Sequence, residues 1–278
     1  MNQSRVESIL TQSLGVAVRT YGQTSSSYLV DCQTKVHVRD ISTSLDLVIN
    51  DKVTSHLLSF GIPVISEETY EGGSLVPSNS LWALIDPLDG TLNYASGINS
   101  FGTSIAILDG DKILSSGVAS FSLGLSIYTR HRDGSPYVVK SRSLVPTVSS
   151  SHTPPLVLAY GPELNPEERQ VLSGILFNMD TSVYPGFHRI GSSVEAFIAF
   201  SQGRYSSFLT LKTRPWDIFP ILHLASCMPG VEVIISTHKP IQYSYIYNKS
   251  CLYASSVLQY LNRLSPVLPY ERNMSLFE

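Results

Sequence analysis

The sequence predicts a mixed α/β fold, with an α+β arrangement in its first half. Segments with helical spacing of apolar residues alternate with short apolar runs along the whole chain. In the first half, Phe101–Leu108 and Lys112–Phe121 flank an Asp-Gly-Asp turn, which predicts an antiparallel hairpin. With 278 residues, the chain can form one large domain or two closely packed ones.

Apolar periodicity, with Gly and Pro at the ends, defines the predicted helices. They cover residues 4–18, a segment from Asp46 to Gly61, Pro166–Phe177, a segment that ends at Ser201, Asp217–Cys227 and Cys251–Leu261. The polar, Ser-rich segment Tyr21–Thr34 lacks this periodicity, and we expect it to be extended or mobile.

Short apolar or alternating runs predict the strands. Besides the hairpin, they are Val64–Ile65, Leu81–Ile85, Ser126–Arg130, Tyr137–Val139, Leu156–Ala159, Tyr205–Leu211, Val231–Ile235 and Tyr243–Tyr247. The segment Ser141–Pro155 is rich in Ser, Thr and Pro, which indicates a boundary. We therefore expect an N-terminal subdomain over residues 1–146 and a C-terminal subdomain over residues 147–278.

Composition excludes several classes of function. The net charge is −3 with no basic block, which argues against a nucleic-acid partner and a polybasic membrane anchor. The three cysteines are scattered, so a disulfide framework or a zinc site is not expected, and a cytoplasmic location fits. We find neither a signal-peptide core nor an apolar run long enough to span a membrane.

The stretch Leu81–Tyr94 carries the strongest chemical signal. Its apolar run ends at Asp86 and is followed by turn residues, which predicts a buried strand that stops abruptly. Asp86 and Asp89 lie at this end, where two carboxylates repel each other unless a cation lies between them. Hard oxygen ligands on a tight turn suit Mg²⁺, and the N–H groups of Gly90 and Thr91 can hold a phosphate beside it.

More acids stand at the ends of other predicted elements: Asp46, Glu67, Glu68 and Asp217. Two metal ions held by such a cluster can activate a water and neutralise the leaving oxygen of a phosphoryl transfer. The hydroxyl of Thr91 can orient that water because it both donates and accepts. Sugar hydrolysis, which needs only two carboxylates, fits this set less well.

These residues also have structural interpretations. Asp46 and Asp217 can be helix N-caps, and the Glu67-Glu68 pair can be a solvated turn. Trp82 and Trp216 are typical of a core. Only the cluster that begins at Asp86 resists such an interpretation, because two acids directly after a buried strand leave costly uncompensated charge.

Five motifs occur in order along the chain. They are Lys35, Asp40 and Asp46 in the spacing K-x(4)-D-x(5)-D, the pair Glu67-Glu68, D-P-L-D-G-T-x-N-Y over Asp86–Tyr94, R-x-G-S-S over Arg189–Ser193, and W-D-x-x-P over Trp216–Pro220 with Gly230 beyond it. Together they resemble the inositol monophosphatase superfamily of Mg²⁺-dependent, lithium-sensitive phosphatases. This superfamily includes fructose-1,6-bisphosphatases and 3′-nucleotidases of the PAP type.

The resemblance implies a layered αβαβα sandwich in two subdomains, a homodimer, and two or three Mg²⁺ ions. It also implies residue roles. A first metal is held by Glu67, Asp86 and the Leu88 carbonyl, a second by Asp86, Asp89 and Asp217, and a third by Glu67 with Asp46 through water. Glu67, Thr91 and Asp46 act on the nucleophilic water, the N–H groups of Gly90 and Thr91 hold the phosphate, and Gly191 and Ser192 face the alcohol.

One departure concerns the substrate. Inositol-specific members carry a Glu seven residues before the Asp of the W-D motif, and this chain has Thr210 there, with Lys212 nearby. Lys212, Arg214 and Arg189 can favour a second phosphate, a carboxylate or a nucleotide. The sequence predicts a phosphomonoesterase for a sugar, cyclitol or inositol phosphate. The alternatives are a 3′(2′),5′-bisphosphate nucleotidase and a non-catalytic phosphate-binding protein with the same fold.

Overall fold

The fold was analysed in a computed structural model. It describes residues 1–24, 32–34, 41–72, 81–140, 154–160, 164–177, 186–236, 243–249 and 268–269. Three sequence features lie outside these ranges: Lys35 and Asp40 of the first motif, most of the boundary segment 141–155, and the predicted helix at residues 251–261.

The first sheet has six strands in the order β3-β4-β5-β6-β7-β8. Their bounds are β3 Val64–Ser66, β4 Leu81–Asp89, β5 Gly102–Asp109, β6 Lys112–Ser120, β7 Leu125–Arg132 and β8 Ser135–Lys140. β3 pairs with β4 in parallel, and the other neighbours are antiparallel. The predicted hairpin is therefore confirmed as β5 and β6.

Two helices cover one face of this sheet, α1 (Gln3–Thr24) and α2 (Ser44–Leu58). Their buried apolar residues form one core with the sheet, including Leu10, Ile49 and Ile105. Burying such side chains contributes about 1.5–3 kcal/mol each. A two-stranded ribbon of β1 (Cys32–Thr34) and β2 (Ile41–Thr43) precedes α2, and a short helix, α3 (Thr91–Ala95), follows β4.

The second sheet is built from later residues, in the order β10-β9-β11-β13-β12-β14. Its strands are β9 Leu156–Tyr160, β10 Phe187–Arg189, β11 Ser207–Leu211, β12 Val231–Ser236, β13 Tyr243–Asn248 and β14 Leu268–Pro269. β9 pairs in parallel with both β10 and β11, so these three strands end at the same edge. α4 (Pro166–Phe177) lies between β9 and β10 in sequence.

Two apolar helices, α5 (Ser193–Ser201) and α6 (Pro215–Ser226), lie between the sheets. Their core includes Phe197 and Ile221, together with Val118 of the first sheet and Phe208 of the second. These helices are apolar on most faces because sheets cover them on both sides. The order helices, sheet, helices, sheet confirms the predicted fold class.

Local details differ from the sequence predictions. Helix α1 continues through Thr24, so the segment after Tyr21 begins as helix rather than as an extended stretch. Strand β4 continues beyond Asp86 to Asp89, because a bulge absorbs the Pro-Leu step without ending the pairing with β5. The division at residue 146 stays a prediction.

None of the helices in the described ranges is long and apolar enough to cross a membrane.

Candidate metal centre

Three carboxylates converge where the first sheet meets α6. Glu67, Asp86 and Asp217 each place an oxygen within 4.8 Å of the others. Asp86 is 2% exposed, and the other two are half-buried. The sequence predicted all three as metal ligands, and the structure brings them together from positions 150 residues apart in the chain, residues 67 to 217.

Local structure explains how each acid reaches this point. Glu67 follows β3, and its backbone N–H donates to the carbonyl of Ile85 at 3.3 Å, which holds it beside β4. Asp86 lies on β4 where the bulge begins. Asp217 lies in the first turn of α6, where it accepts the N–H of Arg214 at 3.3 Å.

The charges of these acids are strongly coupled. Burial raises the pKa of Asp86 well above its usual value, and the negative charges of Glu67 and Asp217 raise it further. The pKa of Asp217 is also raised, first by burial and then by Glu67 and Asp89. Like-charged oxygens this close need either shared protons or a cation. The site therefore attracts positive charge.

Asp89, the other acid of the central motif, faces the start of α5. Its carboxylate accepts the N–H of Ser193 at 3.1 Å and that of Val194 at 2.7 Å, and it also accepts from the hydroxyl of Ser192. Burial raises the pKa of Asp89, and these hydrogen bonds oppose the rise. Both carboxylate oxygens therefore hold α5 against the end of β4.

Thr91 connects the bulge to helix α2. Its hydroxyl lies 3.0 Å from Oδ1 of Asp46 and 2.8 Å from the carbonyl of Leu88. Burial and the negative charge of Glu68 raise the pKa of Asp46 to about 6, against hydrogen bonds from Thr43. Because the hydroxyl of Thr91 lies between two acceptors, its orientation is fixed, and the orientation of its lone pairs is fixed with it.

The capping interpretation of Asp46 and Asp217 is true only in part. Neither is the N-cap residue: Thr43 precedes α2 and Arg214 precedes α6, and both acids stand three residues later. From there each carboxylate accepts the N–H of the cap residue, at 2.8 Å for Asp46. Each acid thus stabilises a helix start and also contributes to the site.

Two glycines permit the close approach of the chain segments. A Cβ on Gly90, whose φ is +91°, would lie 3.0 Å from Cβ of Ser192. A Cβ on Gly191, whose φ is +83°, would lie 2.8 Å from Oδ1 of Asn93. Asn93 in turn donates to the carbonyl of Ile190 at 2.8 Å. The central motif and the R-x-G-S-S motif are therefore packed closely against each other.

The predicted specificity residues lie on the second sheet. Thr210 is 1% exposed within β11. Lys212 follows that strand with φ of +48°, and its Nζ lies 3.4 Å from Oε2 of Glu168 at the start of α4. Contact of either side chain with a substrate stays a prediction.

Sequence reasoning missed several buried acids, among them Glu195 of α5. It is 8% exposed, and its Oε1 accepts from the hydroxyls of Ser120 and, at 3.1 Å, Ser122. Burial raises the pKa of Glu195. A carboxylate inside an otherwise apolar helix segment was the available signal, because such a group needs partners.

The donor set fits a small divalent cation. Carboxylates are the ligands of hard cations such as Mg²⁺, which also keeps several waters and phosphate oxygens in its coordination sphere. No sulfur or imidazole belongs to the cluster of three, which argues against zinc. Glu67 and Asp217 are half-buried, so each keeps part of its surface accessible to solvent.

Comparison with known proteins identifies the class. The sequence model of the inositol monophosphatase family matches residues 5–222, and the chain belongs to that family. A fructose-1,6-bisphosphatase/inositol-1-monophosphatase of Thermococcus kodakarensis is 33% identical over 73 residues, 26% of this chain and 27% of that protein. A probable inositol 1-monophosphatase of Mycobacterium tuberculosis is 46% identical over 59 residues, 21% of each chain. These alignments span about a quarter of the relatives' lengths.

Solved structures confirm the fold. The IMPase of Thermotoga maritima superposes with a TM-score of 0.65 at 18% identity, covering 92% of this chain and 94% of that one. A staphylococcal IMPase-I complexed with products gives 0.70 at 15% identity, covering 97% and 100%. An IMPase/NADP phosphatase complexed with Mg²⁺ and phosphate gives 0.69 at 15% identity, covering 96% and 99%.

Proposed function

We propose that this protein is a Mg²⁺-dependent phosphomonoesterase that hydrolyses a small phosphate ester. The observation that carries the proposal is the convergence of Glu67, Asp86 and Asp217 within 4.8 Å, in a chain of the inositol monophosphatase family. Three acids from three elements form a site that an unrelated structural role would not require. Among the neighbours in fold, one is described as complexed with Mg²⁺ and phosphate.

Glu67, Asp86 and Asp217 would hold the metal, with the Leu88 carbonyl and Asp89 as the further predicted ligands. Bound there, Mg²⁺ supplies positive charge that neutralises the phosphate and its leaving oxygen and makes a nearby water more acidic. The number of ions, two or three, rests on the resemblance. The three donors at the start of α5, from Ser192, Ser193 and Val194, orient the Asp89 carboxylate before any ligand binds.

The chain's own groups then orient the attacking water. Thr91 Oγ1, fixed between Asp46 and the Leu88 carbonyl, would hold that water by a lone pair. Glu67 would accept a proton from it. The N–H groups of Gly90 and Thr91 would hold the phosphate, and Gly191 with Ser192 would border the alcohol. Such fixed donors stabilise charge that develops during phosphoryl transfer.

The substrate class is the finer part of the proposal. A sugar, cyclitol or inositol phosphate is favoured by the family assignment, since the relatives bear the names fructose-1,6-bisphosphatase and inositol 1-monophosphatase. Thr210 replaces the acid that the resemblance associates with inositol hydroxyls. We therefore expect a sugar phosphate to be hydrolysed at least as well as inositol 1-phosphate. A homodimer and a cytoplasmic location remain part of this proposal.

The test is phosphate release from a panel of inositol 1-phosphate, several sugar phosphates and PAP, with Mg²⁺ and with chelator. We expect release only with Mg²⁺. Thr91→Val should lower kcat at least about a hundredfold, and Thr91→Ser, which keeps the hydroxyl, should recover most of it. Equal turnover with chelator, or full activity in both Asp86→Asn and Asp89→Asn, would refute the mechanism. Tight binding of panel members without turnover would instead indicate a binding protein.

A further inference from the structure

Strand β5 contacts the backbone of Asp86 and that of Trp216, the residue before Asp217. Asp86 belongs to β4 and Asp217 to α6, so no local structure fixes the distance between them. Two consecutive β5 residues, Thr103 and Ser104, reach one element each. Successive side chains of a strand point to opposite sides, which lets neighbouring residues contact different elements.

Thr103 holds the backbone of Asp86. Its Oγ1 donates to the Asp86 carbonyl at 2.7 Å, and the side chain is 1% exposed. The register of β4 against β5 changes here, from Asp86 opposite Ser104 to Asp89 opposite Gly102. Two β4 residues therefore face Thr103 alone, which is a bulge, and the threonine hydroxyl provides an additional link where the regular ladder is interrupted.

Ser104 supplies a hydrogen-bond donor that α6 lacks because of a proline. In a regular helix the carbonyl of Trp216 would accept the N–H four residues later, but that residue is Pro220, which has none. Oγ of Ser104 donates to this carbonyl at 2.6 Å, and Ser104 is fully buried. A residue 112 positions earlier thus supplies the donor that the helix lacks, directly beside Asp217.

We propose that Thr103 and Ser104 are positioning residues for the metal site, which together fix the backbone spacing of Asp86 and Asp217. The inference rests on the proposed function, and it gives Pro220 of the W-D-x-x-P motif a physical role. Because Pro220 leaves the Trp216 carbonyl without a helical partner, that carbonyl is available to bind β5. The first turn of α6 is thereby tied to the sheet that carries Asp86.

Loss of this link should lower the affinity for a cation in addition to any loss of stability. Carboxylates bind a cation well only if their spacing is set in advance, and removal of supporting hydrogen bonds costs about 10–100-fold in affinity. The matched control is Ser115, which is also fully buried in the first sheet. Its hydroxyl pairs with that of Thr129 at 3.0 Å on the neighbouring strand β7.

The experiment measures the Kd for Mg²⁺ by calorimetry on the metal-free full chain, together with Tm. We expect Ser104→Ala and Thr103→Val to raise the Kd about tenfold or more. Thr103→Ser, which keeps the hydroxyl, should stay within about threefold of wild type. Ser115→Ala should lower Tm as much as Ser104→Ala does and leave the Kd unchanged.

A double variant separates the link to β5 from the lost donor of the carbonyl. Pro220→Ala restores an N–H that can donate to the Trp216 carbonyl but restores no link to β5, so Ser104→Ala with Pro220→Ala should regain Tm and keep the raised Kd. A Kd in Ser104→Ala within twofold of wild type, an equal rise in Ser115→Ala, or a wild-type Kd in the double variant overturns the inference. If wild type binds no Mg²⁺, the proposed function fails with it. If wild type binds Mg²⁺ and hydrolyses an ester, only the positioning role is at issue.

Discussion

Replacement of Asp217 by Asn should change stability in opposite directions with and without Mg²⁺. Two ionised carboxylates whose oxygens lie within 4.8 Å of each other repel by at least about 3.5 kcal/mol at an effective dielectric constant of about 20. Burial and this repulsion raise the pKa values of Asp86 and Asp217, so a proton taken up there would relieve part of the repulsion. We therefore expect metal-free Asp217→Asn to be more stable than wild type by about 1–2 kcal/mol. An Asn oxygen can still accept the N–H of Arg214, so the start of α6 is preserved.

Added Mg²⁺ should make wild type the more stable of the two proteins. At a concentration of about 100 times its Kd, a ligand stabilises the folded state by about 2.7 kcal/mol. The unfolding entropy scales with chain length, and for 278 residues it is about 0.6 kcal/mol/K. Wild type should therefore gain about 5 °C in Tm, whereas Asp217→Asn, which lacks a ligand, should gain at most about 1 °C.

Thermal denaturation of both proteins in chelator and in Mg²⁺ tests whether their relative stability reverses. Asp111→Asn, at an exposed turn of the first sheet, is the control and should show the wild-type response. A variant that is less stable than wild type in chelator, or that gains as much from Mg²⁺, would show that these carboxylates do not form a cation site.

Two further predictions concern stability. Burial holds the pKa of His223 at about 4, below its usual 6.5, so the unfolded chain takes up a proton first as the pH falls. Stability should therefore decrease by up to about 3 kcal/mol between pH 6.5 and 4, and His223→Asn should remove that part of the slope in urea denaturation. A difference between the two proteins that does not change with pH would contradict this. Separately, Gly102→Ala should cost about 1–3 kcal/mol, since its Cβ would clash with the backbone carbonyl of Ala119 on β6 and would lie 2.7 Å from Cγ1 of Val194. Gly22→Ala, which meets nothing within 4 Å, should be neutral or stabilising, and equal losses in the two variants would argue against close packing around Gly102.

Local sequence patterns were sufficient to predict many of the helices and strands and the chemical nature of the candidate site. The hairpin of β5 and β6 and the bounds of α4 follow from periodicity and from turn residues, which act over a few positions. The donors of the central motif could be named because their chemistry is in the sequence itself. The prediction that strand β4 ends at Asp86 was wrong. The strand continues through a bulge, and a bulge depends on pairing with β5, which begins 16 residues later.

The structure also distinguishes among acids that the sequence treats alike. Asp86 and Asp89 stand three residues apart in one motif, yet Asp86 faces Glu67 and Asp217, whereas Asp89 accepts three hydrogen bonds from the start of α5. The sequence near Asp89 does not predict those hydrogen-bond donors, which lie more than 100 residues further along the chain. Which partner an acid receives is decided by packing.

Composition and short spacings were enough to predict a mixed α/β fold and a set of oxygen ligands typical of a Mg²⁺ phosphatase. The packing of the chain, in contrast, brings three of those acids within 4.8 Å of one another and places Ser104 against the carbonyl that Pro220 leaves without its helical donor. Distances between residues far apart in the chain arise from the packing of sheets and helices, which no local pattern encodes.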